Sequence, residues 1–136
     1  MRHWAHWGHW VAAAVGGGLG SVARYLLQGW VQRRADHLHG RAEVFPWGTL
    51  AVNVLGCLLI GYLVGVIEVR GRMAPETRTF VLVGLLGGFT TFSSLGLESF
   101  ALLRGGGAGL AFANLAASCV SGLVAVALGF WLARAL

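Results

Sequence analysis

The residues of this chain best placed to do chemistry are polar groups set where a membrane span would put its centre. Gly87-Gly88-Phe89-Thr90-Thr91-Phe92-Ser93-Ser94 lies inside the apolar segment Gly84–Phe100. Two glycines cost a helix about 1 kcal/mol each relative to alanine, and the hydroxyl residues compete for backbone hydrogen bonds. Lipid cannot satisfy freed N–H and C=O groups, so broken backbone at membrane depth requires protein or a polar cavity around it. The stretch is therefore expected to be a broken helix near the midplane, where transport proteins often place ion sites. The competing expectation is a Gly/Ser helix that packs closely and binds nothing.

Other polar residues share helical faces with small ones. Gly16, Gly20 and Arg24 recur at i+4, and an intramembrane arginine is costly unless it faces protein or water or snorkels to an interface. Asn53, Cys57, Gly61 and Gly65 repeat the spacing. The Asn53 amide serves equally well as helix glue or as a donor on a polar path. Asn114, Ser118, Ser121 and Gly122 form a polar stripe that should avoid lipid. Glu98 follows the expected break. Cys57 and Cys119 lie mid-span, away from any metal-type cluster, and are expected to be packing residues. His3, His6 and His9 alternate with Trp4, Trp7 and Trp10. An interfacial turn of the aromatic belt suits this repeat better than a metal site, which would want Cys or carboxylate company.

The elements carrying these groups follow from composition. The 136 residues are 57% hydrophobic and 11% charged, with mean hydropathy +0.72. Apolar runs of about 20 residues mark membrane spans. Four are expected, at about 11–27, 49–67, 79–103 and 110–132, making a single all-α membrane domain. Residues 31–46, rich in Arg and His, are expected as the longest loop. Pro46 and Trp47 should open the second span. All ten basic residues are arginine, and the pI is about 10.6. Most flank spans, where they anchor to headgroups, so nucleic-acid binding is not expected. The N-terminal apolar run is too long for a cleaved leader and should remain as the first helix. Four spans put Arg2, Arg70, Arg72, Arg78 and Arg134 on one side and Arg33, Arg34, Arg41 and Arg104 on the other. Five against four gives the positive-inside rule almost nothing to act on. Such a chain could insert both ways and pair with its inverted copy. So small a bundle would also form a polar pathway more easily between subunits than within one.

GGGLGSVARY (Gly16–Tyr25), WGTLAVNVLG (Trp47–Gly56) and GLLGGFTTFSSL (Gly84–Leu95) resemble the three motifs of the Fluc, or CrcB-type, fluoride channels. The resemblance implies a dual-topology, antiparallel homodimer in the inner cell membrane, with two fluoride pores lined by both chains. It implies passive, fluoride-selective export and a structural sodium ion at the dimer centre, held by backbone carbonyls that match Gly87 and Thr90. Phe92 matches the first of two pore phenylalanines, Asn53 the pore asparagine and Arg24 the first-helix arginine. Ser93, Ser94 and Ser118 match hydroxyls along a polar track, and Glu98 an acidic position after the break. Leu95 departs from the pattern, standing where the second phenylalanine is usual. Asn114 departs too, standing where some members have tyrosine.

The residue types suit a small, hard, strongly hydrated anion. Asn53, Ser93, Ser94 and Ser118 offer donors. Phe92 has an electropositive ring edge, and Arg24 could raise local anion concentration. Carbonyls freed at a break suit a hard cation. A channel, not an enzyme, is expected. The alternative is a small multidrug-resistance-type proton-coupled exporter. Those proteins use an acidic residue in the first span, where this chain has Arg24.

Overall fold

The computed structural model describes residues 5–39, 45–71 and 73–136, and these are helical almost throughout. Helix α1 spans Ala5–His39 and α2 spans Trp47–Arg70. The third crossing begins as Pro75–Arg78, continues in the wider turns of a π-helix over Thr79–Leu86, and ends in Gly87–Phe89; together these are α3. After a break, α4 runs Phe92–Arg104, and α5 spans Ala108–Ala135. Four crossings, 7–38, 47–70, 75–104 and 108–135, are long and apolar enough to span a bilayer.

Two expectations about α1 are corrected. The helix does not give way to a loop at residue 31. It runs on to His39, because residues 31–39 contain neither Gly nor Pro and Gln32 donates to Asp36 Oδ1 one turn later at 2.9 Å. Its 35 residues extend about 52 Å at about 1.5 Å each, well beyond a hydrocarbon core of about 30 Å. Nor is the His/Trp repeat a turn from residue 5 onward, since the helix already begins at Ala5. Trp7 and Trp10 project outward, and His9 Nδ1 shares a 3.1 Å hydrogen bond with Thr79 Oγ1 on α3. His3 and Trp4 lie outside the described residues, as does the His6 side chain.

The helices associate as two close pairs whose contacts depend on absent side chains. α1 lies along α3: a Cβ on Gly16 would sit 2.5 Å from Phe80 O, and one on Gly84 would sit 3.0 Å from Ala13 O. α2 lies along α5 in the same way, Gly61 against Val126 O and Gly129 against Leu58 O. Lipid tails are as apolar as these helices. What favours such contacts is therefore close backbone packing, which small residues permit. At one end of the second pair Glu68 Oε2 lies 4.0 Å from Arg134 Nη1. Gln32 ties α1 to the start of α2, donating to Phe45 O at 3.2 Å and accepting from Gly48 N at 3.1 Å.

The third crossing is broken within the expected stretch, at Thr90 and Thr91, while its glycines stay helical. Gly87 keeps helical angles (φ −64°, ψ −37°), whereas Thr90 (φ −85°, ψ 154°) and Thr91 (φ −148°, ψ 121°) are extended. β-Branched threonine suits the extended conformation. Thr91 then restarts the chain as the N-cap of α4, its Oγ1 accepting from Ser94 N at 3.2 Å.

Candidate functional site at the helix break

An unbroken helix would bond Thr91 N to Gly87 O, Phe92 N to Gly88 O and Ser94 N to Thr90 O. Here each of the three carbonyls loses that partner, and the replacements are specific. Asn53 on α2 faces Thr91 with both ends of its amide. Oδ1 accepts from Thr91 N at 2.8 Å, and Nδ2 donates to Thr91 O at 3.1 Å. Gly88 O accepts from Ser21 Oγ at 3.4 Å and from Arg24 Nε at 3.3 Å. Gly87 O and Thr90 O are the two whose lost helical donors have gone elsewhere, to Asn53 and to Thr91 Oγ1. Thr90 Oγ1 itself bonds back to Leu86 O at 3.0 Å.

The break opens onto a groove of about 350 Å³ between α2, the third crossing and α5. Asn53, Gly87, Thr90, Thr91, Phe92, Leu95 and Ser118 line it. Phe92 stands at the rim, 80% exposed, while Leu95, 4% exposed, is packed inward. The Ser118 hydroxyl is buried with no partner among the described residues. Cys57 and Cys119 also border this groove as free thiols. Among the described residues no group of three or more His, Cys, Asp or Glu could hold a metal. A cation here would have to use backbone oxygens.

Arg24, Ser94 and Glu98 lie apart from that set, in a second and larger groove of about 1070 Å³ between α1, α4, the two residues before α2 and the start of α5. Glu98 Oε1 accepts from Thr49 Oγ1 at 2.6 Å and from Gln28 Nε2 at 3.4 Å, while Gln28 Nε2 also reaches Thr49 Oγ1 at 3.0 Å. Glu98 Oε2 is buried without a partner among the described residues. Ser93 is exposed, its hydroxyl 3.2 Å from Thr91 Oγ1. The expected site residues thus divide between two grooves, except Ser93, which lines neither.

The polar stripe on the last helix does avoid lipid. Asn114 is fully buried and donates to Ser99 Oγ at 3.0 Å, leaving its Oδ1 without a partner among the described residues. Ser121 returns its hydroxyl to Ala117 O. Sequence reasoning missed Ser21, Gln28, Thr49 and Ser99. For two of them a signal existed: Gly17, Ser21, Arg24 and Gln28 fall at i, i+4, i+7 and i+11, a single helical stripe.

Four apolar crossings, one broken at two threonines, define a small multi-pass helical membrane protein. Residues 11–130 match the family described as CrcB-like protein, Camphor Resistance (CrcB), and the chain belongs to that family. It is similar to the proteins named fluoride-specific ion channel FluC of three bacteria. That of Methylobacillus flagellatus is 46% identical over 121 residues, 89% of this chain and 91% of the relative. That of Opitutus terrae is 49% identical over 118 residues, 85% of each. That of Thermus thermophilus is 46% identical over 123 residues, 90% of this chain and 91% of the relative.

Proposed function

We propose that this chain is a fluoride-selective channel that lets the anion leave the cell passively, and that it works as an antiparallel homodimer of one four-helix membrane domain. The observation that carries the reading is the break itself. Gly87 O and Thr90 O have lost their helical donors at membrane depth, and Gly87 is exposed on the single chain. A carbonyl left facing lipid would be unsatisfied. A second copy packed on this face, with a hard cation between the two breaks, satisfies it. These oxygens fit sodium by donor type, since hard cations take oxygen ligands, and the cation would supply fixed positive charge near the anion path.

The fluoride path in this reading follows the groove at the break. The second N–H of Asn53, the Ser93 and Ser118 hydroxyls and the Phe92 ring edge are its donors, and Leu95 is part of its wall. Ser94 lies on the second groove, which serves as the aqueous approach. Phe92 at the rim would meet the partner subunit. The three relatives named as fluoride-specific channels support the assignment of the ion.

The deciding experiment is reconstitution into liposomes loaded with fluoride and chloride, followed by ion-selective electrodes. Fast fluoride efflux with chloride retained is the expected result. Equal loss of both anions, or of neither, rejects the reading.

A further inference from the structure

One stripe of α1 crosses the break and touches the chain on both sides of it. Gly17 lies against Gly88 so closely that a Cβ on Gly88 would collide with Gly17 O. One turn on, Ser21 Oγ donates to Gly88 O at 3.4 Å, and after the next turn Arg24 Nε donates to the same oxygen at 3.3 Å. A turn further, Gln28 Nε2 reaches Glu98 Oε1 at 3.4 Å and Thr49 Oγ1 at 3.0 Å. Gly88 lies in the last turn of α3, and Glu98 belongs to α4. α1 is therefore a splint across a gap that has no continuous helix of its own.

Within that splint, Arg24 uses an unexpected atom. A guanidinium that served only as a positive charge at a pore mouth would not need its Nε committed to a backbone carbonyl. Gly88 O has lost Phe92 N to the break, and at membrane depth no bulk water replaces that donor. The same residue also borders the second groove.

We infer that Arg24 is a positioning residue: its Nε, together with Ser21 Oγ, holds the Gly88 carbonyl and so fixes the end of α3 at the break, and conduction depends on this donor more than on the charge. By capping Gly88 O, Arg24 and Ser21 take one of the carbonyls freed at the break and leave those of Gly87, Phe89 and Thr90. The conduction part rests on the fluoride-channel reading; the cap on Gly88 does not.

Two substitutions separate donor from charge. Counting outward from Cα, Nε2 of glutamine falls where Nε of arginine falls, so Arg24→Gln keeps an N–H near Gly88 O and loses the charge. Arg24→Lys keeps the charge but puts a methylene at that place. Equal amounts of folded protein are compared for fluoride efflux from liposomes and for melting temperature in detergent. The expected result is that Arg24→Gln passes fluoride about tenfold faster than Arg24→Lys, the scale of one lost hydrogen bond, and melts higher. Equal behaviour of the two variants, or the reverse order, overturns the inference. If the parent protein itself carries no fluoride, the channel reading fails, and the melting order alone decides the cap. Should neither variant fold, the hydroxyl decides. Ser21→Ala then lowers the melting temperature while Ser21→Thr, which keeps the oxygen, does not; no difference between those two also overturns it.

Discussion

Asn53 does for Thr91 what a neighbouring β-strand would do, taking its N–H at 2.8 Å and giving its C=O a donor at 3.1 Å. A primary amide can do both from one side chain at any pH, which is a physical reason for asparagine at mid-depth of α2. The competing sequence readings, helix glue and pore donor, need not exclude each other. One N–H and the oxygen are engaged on the backbone, and the second N–H remains for the groove. Asn53→Asp keeps the acceptor and replaces the donor with oxygen facing Thr91 O. The expected loss is about 1–3 kcal/mol of stability, from the lost second donor to Thr91 O, the carboxylate oxygen set against it and an uncompensated charge. The melting temperature of the purified protein should fall, and fluoride efflux should fall with it. An unchanged melting temperature sinks the clamp, whereas parental efflux sinks the pore donor.

At the scale of elements, small residues decide which helices touch. Gly129 has its Cα face against Leu58 O and Tyr62 N of α2, where a methyl group has no room. Gly129→Ala is therefore expected to force α2 and α5 apart and cost about 1–3 kcal/mol, as overpacking does. Gly96, with nothing near its added Cβ, is the control: Gly96→Ala should leave the melting temperature where it is. Equal melting of the two variants would refute this account of the α2–α5 contact. The same distinction explains what the sequence made legible. Four apolar runs fixed the number of crossings, and the Gly/Thr/Ser run revealed that the third is interrupted. Within that run the glycines stay helical, because close packing on α1 requires Gly88. The extended backbone went to Thr90 and Thr91, whose branched side chains accept it. The C-terminal third of α1 was illegible for a different reason. Once a helix leaves the bilayer its residues can be polar all round, and Arg33, Arg34 and His37 then look like a loop. Of the site, Arg24 and Asn53 stood out because polar groups in apolar runs need partners. Thr49 and Ser99 did not, since isolated hydroxyls are common in such helices and only the fold brings Glu98 and Asn114 to them.

The whole molecule raises the question of what covers the groove at the break. Phe92 at its rim is 80% exposed, and the freed Gly87 carbonyl lies on the same open side. Lipid is a poor cover for freed backbone, and an inverted copy is a good one, provided that the chain inserts in both senses. The arginines permit this: Arg2, Arg70, Arg72, Arg78 and Arg134 on the side of the termini, Arg33, Arg34, Arg41 and Arg104 on the other. Because each orientation places one set in the cytoplasm, and cytoplasmic arginine is favoured, the near-balance leaves both accessible. It can be tipped either way. Arg33→Ala with Arg34→Ala leaves five against two and should drive the termini inward. Arg70→Ala, Arg78→Ala and Arg134→Ala together leave two against four and should drive them outward. All five side chains are exposed, so folding should tolerate the changes. Accessibility of a C-terminal tag should read one membrane side for each variant and both sides for the parent. Neither variant alone can supply an antiparallel partner, so each alone should give little fluoride efflux. Co-expressed, they should pair and recover efflux toward that of the parent. A tipped variant that is fully one-sided yet conducts like the parent would show that the antiparallel dimer is not the working unit.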